Sequence, residues 1–341
     1  MLNTHYKVIL ASLVLLIITP FSVNAQLIQE LESTLVLSVN PTYPAPNENI
    51  TVSIESYSIE LSNATVSWFV DGILEQQVIG GTVFTFVSGE LGTSVDIDVV
   101  ASVNNISLGT KQITIQPTDA DILWQGNTLT HSLYKGRHIP SVGSSINVEA
   151  VPHFLTRAGY RLHTDELTYL WRIEGKALPQ ASGRGKNTIT ITQTKPLKSI
   201  LAEVEISSED EQLFTKKSIS IPVQSTELIV YENNPLLGVL FNNVIGGLYS
   251  LTGQETKFIV YPFFMSGNDR NASTINYVWR LNGSPITLGE DKSSITVGHS
   301  GEQEGTAEIY VSTQNNEKIF QKSESSFTIK FGKNSSPGFS F

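Results

Sequence analysis

The stretch Tyr277–Gly283, YVWRLNG, decides how the rest of the chain is read. Two earlier stretches repeat it: YLWRIEG at Tyr169–Gly175 and VSWFVDG at Val66–Gly72. In each, a Trp is followed four residues later by a Gly, and a polar turn-former (Asp71, Glu174, Asn282) stands just before that Gly. Trp68, Trp171 and Trp279 lie 103 and 108 residues apart, close to one β-sandwich domain length. Each Trp alternates with polar or outward-facing neighbours, which puts it on the buried face of a strand. Gly72, Gly175 and Gly283 supply the positive φ that the following turn needs. These six residues are expected to be a core signature, with no catalytic part.

Composition supports strands. Charged residues are 16% and apolar residues 40% of the 341, too apolar for disorder and too interrupted for membrane spans. Thr, Ser, Val and Ile dominate, as in sheet proteins. The first segment reads as a signal peptide, residues 1–25. Val8–Ile18 is a small or apolar run, Pro20 breaks it, and Ser22-Val23-Asn24-Ala25 has a small-x-small cleavage form. No second stretch of that kind follows, so the mature chain is expected to lack a transmembrane segment and to be secreted or held at the cell surface. There is no Cys, which removes disulfides, thiolate catalysis and Cys-based zinc sites and points to a bacterial export route. A formal net charge of −10 without clustered Lys or Arg excludes a nucleic-acid surface.

Outward from the Trp repeats, the chain divides as follows. After the signal peptide, residues 26–33 are a polar lead. The first domain is expected at 34–117, the second at 118–223 and the third at 224–331, with a flexible tail at 332–341. The boundaries QPTDAD (116–121) and PVQSTE (222–227) each follow an alternating strand and precede another. Such short, Pro-stiffened linkers predict an elongated, semi-rigid array. Asp71-Gly72 before ILEQQVI reads as a hairpin, and Asn104-Asn105 joins a later one. The second and third domains share features the first lacks. Trp124 and Tyr231 stand 47 and 48 residues before their Trp, and NVEAVPHF matches KFIVYPFF. Between these features each carries an insertion, 125–145 and 232–254.

The core Trp followed by a polar-Gly hairpin turn resembles strand C of immunoglobulin-like domains and their PKD-like relatives. The resemblance covers nearly the whole mature chain. It departs from the family in lacking the inter-sheet disulfide, with aliphatic residues near Ile54 and Val204 instead, and in reading WFVDG where many PKD repeats have WDFGDG. It implies an all-β fold of three tandem sandwiches and a family whose members serve as adhesion, spacing and recognition modules on bacterial surfaces or secreted proteins.

Chemical motifs are sparse. The six His lack the spacing of a zinc protease, and there is no G-x-S-x-G, phosphate loop or dinucleotide fingerprint. His131 and His138 lie with Lys135 and Arg137 in the first insertion, where a solvated loop competes with an anion site. Asp96 and Asp98 share a strand face; paired carboxylates can act in a glycosidase, but a solvent face has the same pattern. Asp119 and Asp121 at the first boundary are weak Ca²⁺ candidates, and no other metal or cofactor is expected. The binding candidates are Tyr134, Leu237, Phe241 and Tyr249, since exposed apolar loops mark interaction surfaces. The competing reading is that both insertions cover a sheet edge or a domain junction.

The expected function is a non-catalytic adhesion or binding module for a protein or glycan at the cell surface. The alternative is a structural spacer or assembly subunit of an envelope or pilus-type complex, docking through the tail ending Phe339-Ser340-Phe341. A glycan-active enzyme using Asp96 and Asp98 is a third reading.

Overall fold

The computed structural model describes residues 35–192, 194–196, 198–210, 212–251, 253–300 and 304–332. The signal peptide, the polar lead and all but the first residue of the tail lie outside these. Among the described residues there is no α-helix, and six sheets form three tandem immunoglobulin-like β-sandwiches.

The first sandwich sets a sheet of order β1-β2-β5 against one of order β4-β3-β6-β7. The strands are β1 (Leu35–Asn40), β2 (Asn49–Ser56), β3 (Thr65–Val70), β4 (Ile73–Ile79), β5 (Val83–Val87), β6 (Val95–Val103) and β7 (Ile106–Ile115). Period-two alternation builds its core. Ile50, Val52 and Ile54 from β2 meet Val66 and Trp68 from β3 and Ile97, Val99 and Ala101 from β6, all buried. Asn104 and Asn105, both at positive φ, turn β6 into β7.

The second sandwich repeats this plan. β8 (Asp119–Gly126), β9 (Ser145–His153) and β13 (Thr188–Thr192) form one sheet in the order β13-β9-β8. The facing sheet runs β11-β10-β14-β15, with β12 (Gly183–Arg184) also on β10. Its strands are β10 (Thr168–Ile173), β11 (Lys176–Ala177), β14 (Ser199–Ser207) and β15 (Phe214–Pro222). Trp171, Tyr169, Ile146, Val148 and Ala202 are buried.

The third sandwich gains strands from its insertion. β16 (Glu227–Asn234), β17 (Gly238–Ile245), β19 (Glu255–Phe263) and β22 (Ser294–Gly298) pair in the order β17-β16-β19-β22. The second sheet runs β18-β24-β23-β20-β21, from β18 (Gly247–Ser250), β20 (Ile275–Leu281), β21 (Ser284–Pro285), β23 (Gly305–Asn315) and β24 (Lys322–Phe331). Segment 232–254 therefore lengthens both sheets: β17 folds back on β16, and β18 lies parallel to β24 on the other sheet. Segment 125–145 contributes only the ends of β8 and β9 and is otherwise loop.

By contacts the chain separates into two compact units. Of the described residues, one holds those up to Asp121 with those of Pro152–Thr168 and Glu205–Lys216; the other holds those of Ile122–Val151 and Tyr169–Val204 and those from Lys217 onward. In the first unit, Tyr43 stacks on Phe214 at 4.3 Å between centroids, and Gln116 Nε2 donates to the Leu155 carbonyl at 2.9 Å. The division passes through the second sandwich, so compactness does not follow the spacing of the Trp repeats.

Candidate functional site

The repeated Trp-to-Gly stretches have a common geometry, and it is structural. Trp68, Trp171 and Trp279 are buried, and Gly72, Gly175 and Gly283 sit at φ +80, +72 and +81. The preceding residues, Asp71, Glu174 and Asn282, are also at positive φ. Each clamps the neighbouring strand twice. Asn282 N–H donates to the Glu308 carbonyl at 2.9 Å, while its Oδ1 accepts from Glu308 N–H at 2.8 Å. Glu174 does the same with Leu201 at 3.0 and 2.6 Å, and Asp71 with Asp96 at 2.9 and 3.0 Å. The position before Gly therefore calls for a side-chain carbonyl or carboxylate oxygen, which Asp, Glu and Asn all carry. That shared acceptor was visible in the sequence, but its partner strand was not.

The insertions come together in the second unit. Loop 127–144 lies on the third sandwich, where Leu129 N–H donates to the Met265 carbonyl at 2.8 Å and its own carbonyl accepts from Phe264 N–H at 3.0 Å. The Leu129 side chain packs on the core around Trp279. Gln321, fully buried, is the fastening. Its Oε1 accepts from Ser266 N–H at 2.8 Å, and its Nε2 reaches Ser141 Oγ at 3.0 Å and the Val142 carbonyl at 3.2 Å.

Beyond Leu129 the loop carries His131, whose ring stacks on Phe241 of β17 at 4.6 Å. Phe241 meets Tyr231 and Tyr261 edge-on, each at 5.2 Å. Two of the expected binding residues are thus brought to one place: Tyr134 contacts His131 edge-on at 6.4 Å and is 41% exposed, and Phe241 lies under the same imidazole. The other two stand elsewhere. Leu237 is at the turn between β16 and β17 and is 75% exposed. Tyr249 packs on the third core and donates its hydroxyl to Glu232 at 2.9 Å; burial pushes its pKa up. Trp124 is half-buried beneath the Arg137 guanidinium.

Beside this aromatic cluster is a cleft of about 580 Å³, lined by Leu129, Thr130, Tyr261, Phe263, Asn268 and Arg270 among others. Two further clefts adjoin it along the loop, and Asn268 lines all three. Asn268 is exposed, as are Asn127 and Gln125 farther along. Arg270, which lines the cleft beside Asp269, is already engaged. It lies 5.4 Å over the Tyr261 ring, donates to Ser293 Oγ at 2.9 Å and stands 3.8 Å from Asp291. Burial pushes the Asp291 carboxyl up, but hydrogen bonds from Ser293, Ser294 and Asn271 and the charge of Arg270 outweigh it and hold the group below the usual carboxylate range. The groove offers amides, hydroxyls and aromatic edges with little net charge. Sequence reasoning missed it because Tyr261 and Asn268 lie outside the insertions, and only the docked loop makes them a wall.

Asp96, Asp119 and Asp121 each have hydrogen-bond partners of their own. Asp96 accepts from Thr114 Oγ1 at 2.6 Å and from Arg157 Nη2 at 3.1 Å. The Thr114 hydrogen bond holds it below the ordinary range, the reverse of what a general acid needs. Asp119 caps the next residue through Ala120 N–H at 2.9 Å, and Asp121 pairs with His153 Nε2 at 3.0 Å. Among the described residues no group of three His, Asp or Glu converges on a metal position. No described helix is long and apolar enough to cross a membrane.

No protein-family model matches the chain, and no curated protein matches it. Solved structures do. The three N-terminal domains of the bacteriophage RB49 highly immunogenic outer capsid protein align with 15% identity over 88% of this chain and 99% of that one, at a TM-score of 0.26. The central fibronectin-III array of RIM-binding protein aligns at 12% over 88% and 96%, TM-score 0.26. The fibronectin(III)-like modules of Clostridium thermocellum CbhA align at 10% over 55% and 94%, TM-score 0.27. At these identities and scores the likeness carries no inference about function.

Proposed function

We propose that the protein is a non-catalytic, exported binding module that takes a glycan or a protein at the cell surface. The observation that carries this reading is the groove along loop 127–144, where amides and hydroxyls line one stretch and Tyr261 and Phe263 another. Pockets of mixed aromatic and amide lining orient a ligand through a few polar contacts while aromatic surface supplies the burial. The N-terminal segment 1–25 supports export, and the acidic, Cys-free composition suits a bacterial surface.

The test is binding of the purified protein to a glycan array and to solubilised envelope fractions, beside Asn268→Ala and Thr130→Ala variants. Retention that drops in both variants supports the groove. Blank results on both supports overturn the binding reading.

A spacer or assembly role is the second reading, favoured by the Gln321 fastening, which stiffens the passage from loop 127–144 to the third sandwich. It predicts that the protein stays in a large envelope assembly when Asn268 is replaced.

A further inference from the structure

The strand after the Trp hairpin closes one edge of its sheet in every sandwich, and the three edges differ. β11 and β21 have two residues each, with Pro179 just after the first and Pro285 within the second. Short strands and proline are how sheet edges resist an added strand. β4 has seven residues, no proline and one charge, Glu75. Its apolar side chains face solvent: Ile73 is 65%, Leu74 49%, Val78 47% and Ile79 69% exposed. The neighbouring edge repeats the contrast. β5 exposes Val83 and Val87, whereas β13 and β22 expose Thr188, Thr190 and Thr296. Gln76 Nε2 donates to the Val83 carbonyl at 3.3 Å, so the two apolar edges lie side by side. An apolar edge of this length that no strand among the described residues covers is a template for another strand.

We propose that β4 is a homodimerisation edge, pairing antiparallel with β4 of a second copy about a two-fold axis near Gln76 and Gln77. The strand reads much the same from either end: Ile-Leu, then Glu-Gln-Gln, then Val-Ile. Antiparallel self-pairing sets apolar ends over apolar ends and places Glu75 toward glutamine. Parallel pairing would set Glu75 beside its own copy, and like charges directly opposite are destabilising. The single carboxylate leaves this edge with little charge in a chain of net charge −10, so self-repulsion across it is small. A bulge lies at Glu75, but Gln76–Ile79 remain in regular pairing with Thr65–Trp68. A two-fold contact uses the same patch on both subunits, which a self-matching strand satisfies.

Sedimentation of the purified protein over a range of concentrations tests this. The expected result is a monomer–dimer equilibrium that Val78→Lys and Ile79→Lys each weaken by about tenfold or more, with the monomer's melting, read at dilution, unchanged because both sites are exposed. The chain has no Cys, so Gln76→Cys and Gln77→Cys each place a single thiol beside the axis. At least one should form a disulfide dimer on mild oxidation, while Gln112→Cys on β7, at the far edge of the same sheet, should not. A monomer at every concentration overturns the proposal. So does a dimer that survives both Lys variants or cross-links only through position 112. Glycan or envelope binding is read separately, so either proposal can fail without the other.

Discussion

Trp279 Nε1 donates to the backbone carbonyl of Lys292 at 3.1 Å, and Lys292 lies two residues before β22 begins. The same relation recurs between Trp68 and Gly81 at 2.9 Å, two residues before β5, and between Trp171 and Lys186 at 2.8 Å, two before β13. Each Trp therefore fills the core and also fixes where a strand of the opposite sheet starts. Its buried N–H would otherwise be unpaired, at a cost of about 1–3 kcal/mol. Trp279→Ala should destabilise the third sandwich by about 3–5 kcal/mol as a core truncation. Trp279→Phe keeps most of the ring and should still lose about 1–3 kcal/mol, because the Lys292 carbonyl is left without its donor. Denaturant melts of both variants check the order; a Phe variant as stable as the parent would remove the hydrogen bond from the account.

Asn282 gives a second prediction. Its side chain holds Glu308 N–H, and its backbone is at φ +46. Asn282→Gly relieves the backbone but removes the acceptor, so it should still cost about 0.5–1.5 kcal/mol. Asn282→Asp keeps an acceptor and should cost less. Equal melts for Gly and Asp would mean that the turn alone matters.

Gln321→Ala should free loop 127–144 from the third sandwich. It leaves Ser266 N–H and the Ser141 hydroxyl without their partner, at about 1–3 kcal/mol each where they stay dry. Amide hydrogen exchange at Leu129 and Phe264 should accelerate while β23 and β24 remain protected. Unchanged exchange at Leu129 would show that its own contacts hold the loop.

Tyr277 predicts an alkaline limit. Burial pushes its phenol well above the ordinary value of 10.0, and its hydroxyl donates to the Arg270 carbonyl at 2.7 Å. The native state therefore keeps the proton that the unfolded chain releases near pH 10. This contribution is complete below that pH and declines as pH rises above it. Melting temperature should fall between about pH 10 and 12, and less steeply in Tyr277→Phe. Parallel declines would assign the loss to other groups.

Much of this architecture could be read from residue order because it rests on local chemistry. The alternation around Ile50, Val52 and Ile54 marks a buried strand face. Asp71-Gly72, Glu174-Gly175 and Asn282-Gly283 mark turns, because positive φ restricts which residues fit. The insertions were visible as length without a counterpart in the first domain. What they build was not, since 232–254 splits into β17 and β18 on different sheets while 125–145 stays a loop. Both outcomes depend on which edge was free to accept a strand, and no local pattern records that.

The sequence by itself determined the strand pattern, the three Trp and the hairpin turns, because alternation and turn chemistry act over a few residues. The tertiary structure decided the partners. It joined Trp279 to Lys292, Asn282 to Glu308 and Gln321 to Ser141, across separations that chain order does not encode. It also laid His131 on Phe241 and, among the described residues, left the outer edge of β4 unpaired. Burial and edge exposure depend on what packs from far along the chain, and the groove beside Asn268 and the open edge at β4 follow from that packing.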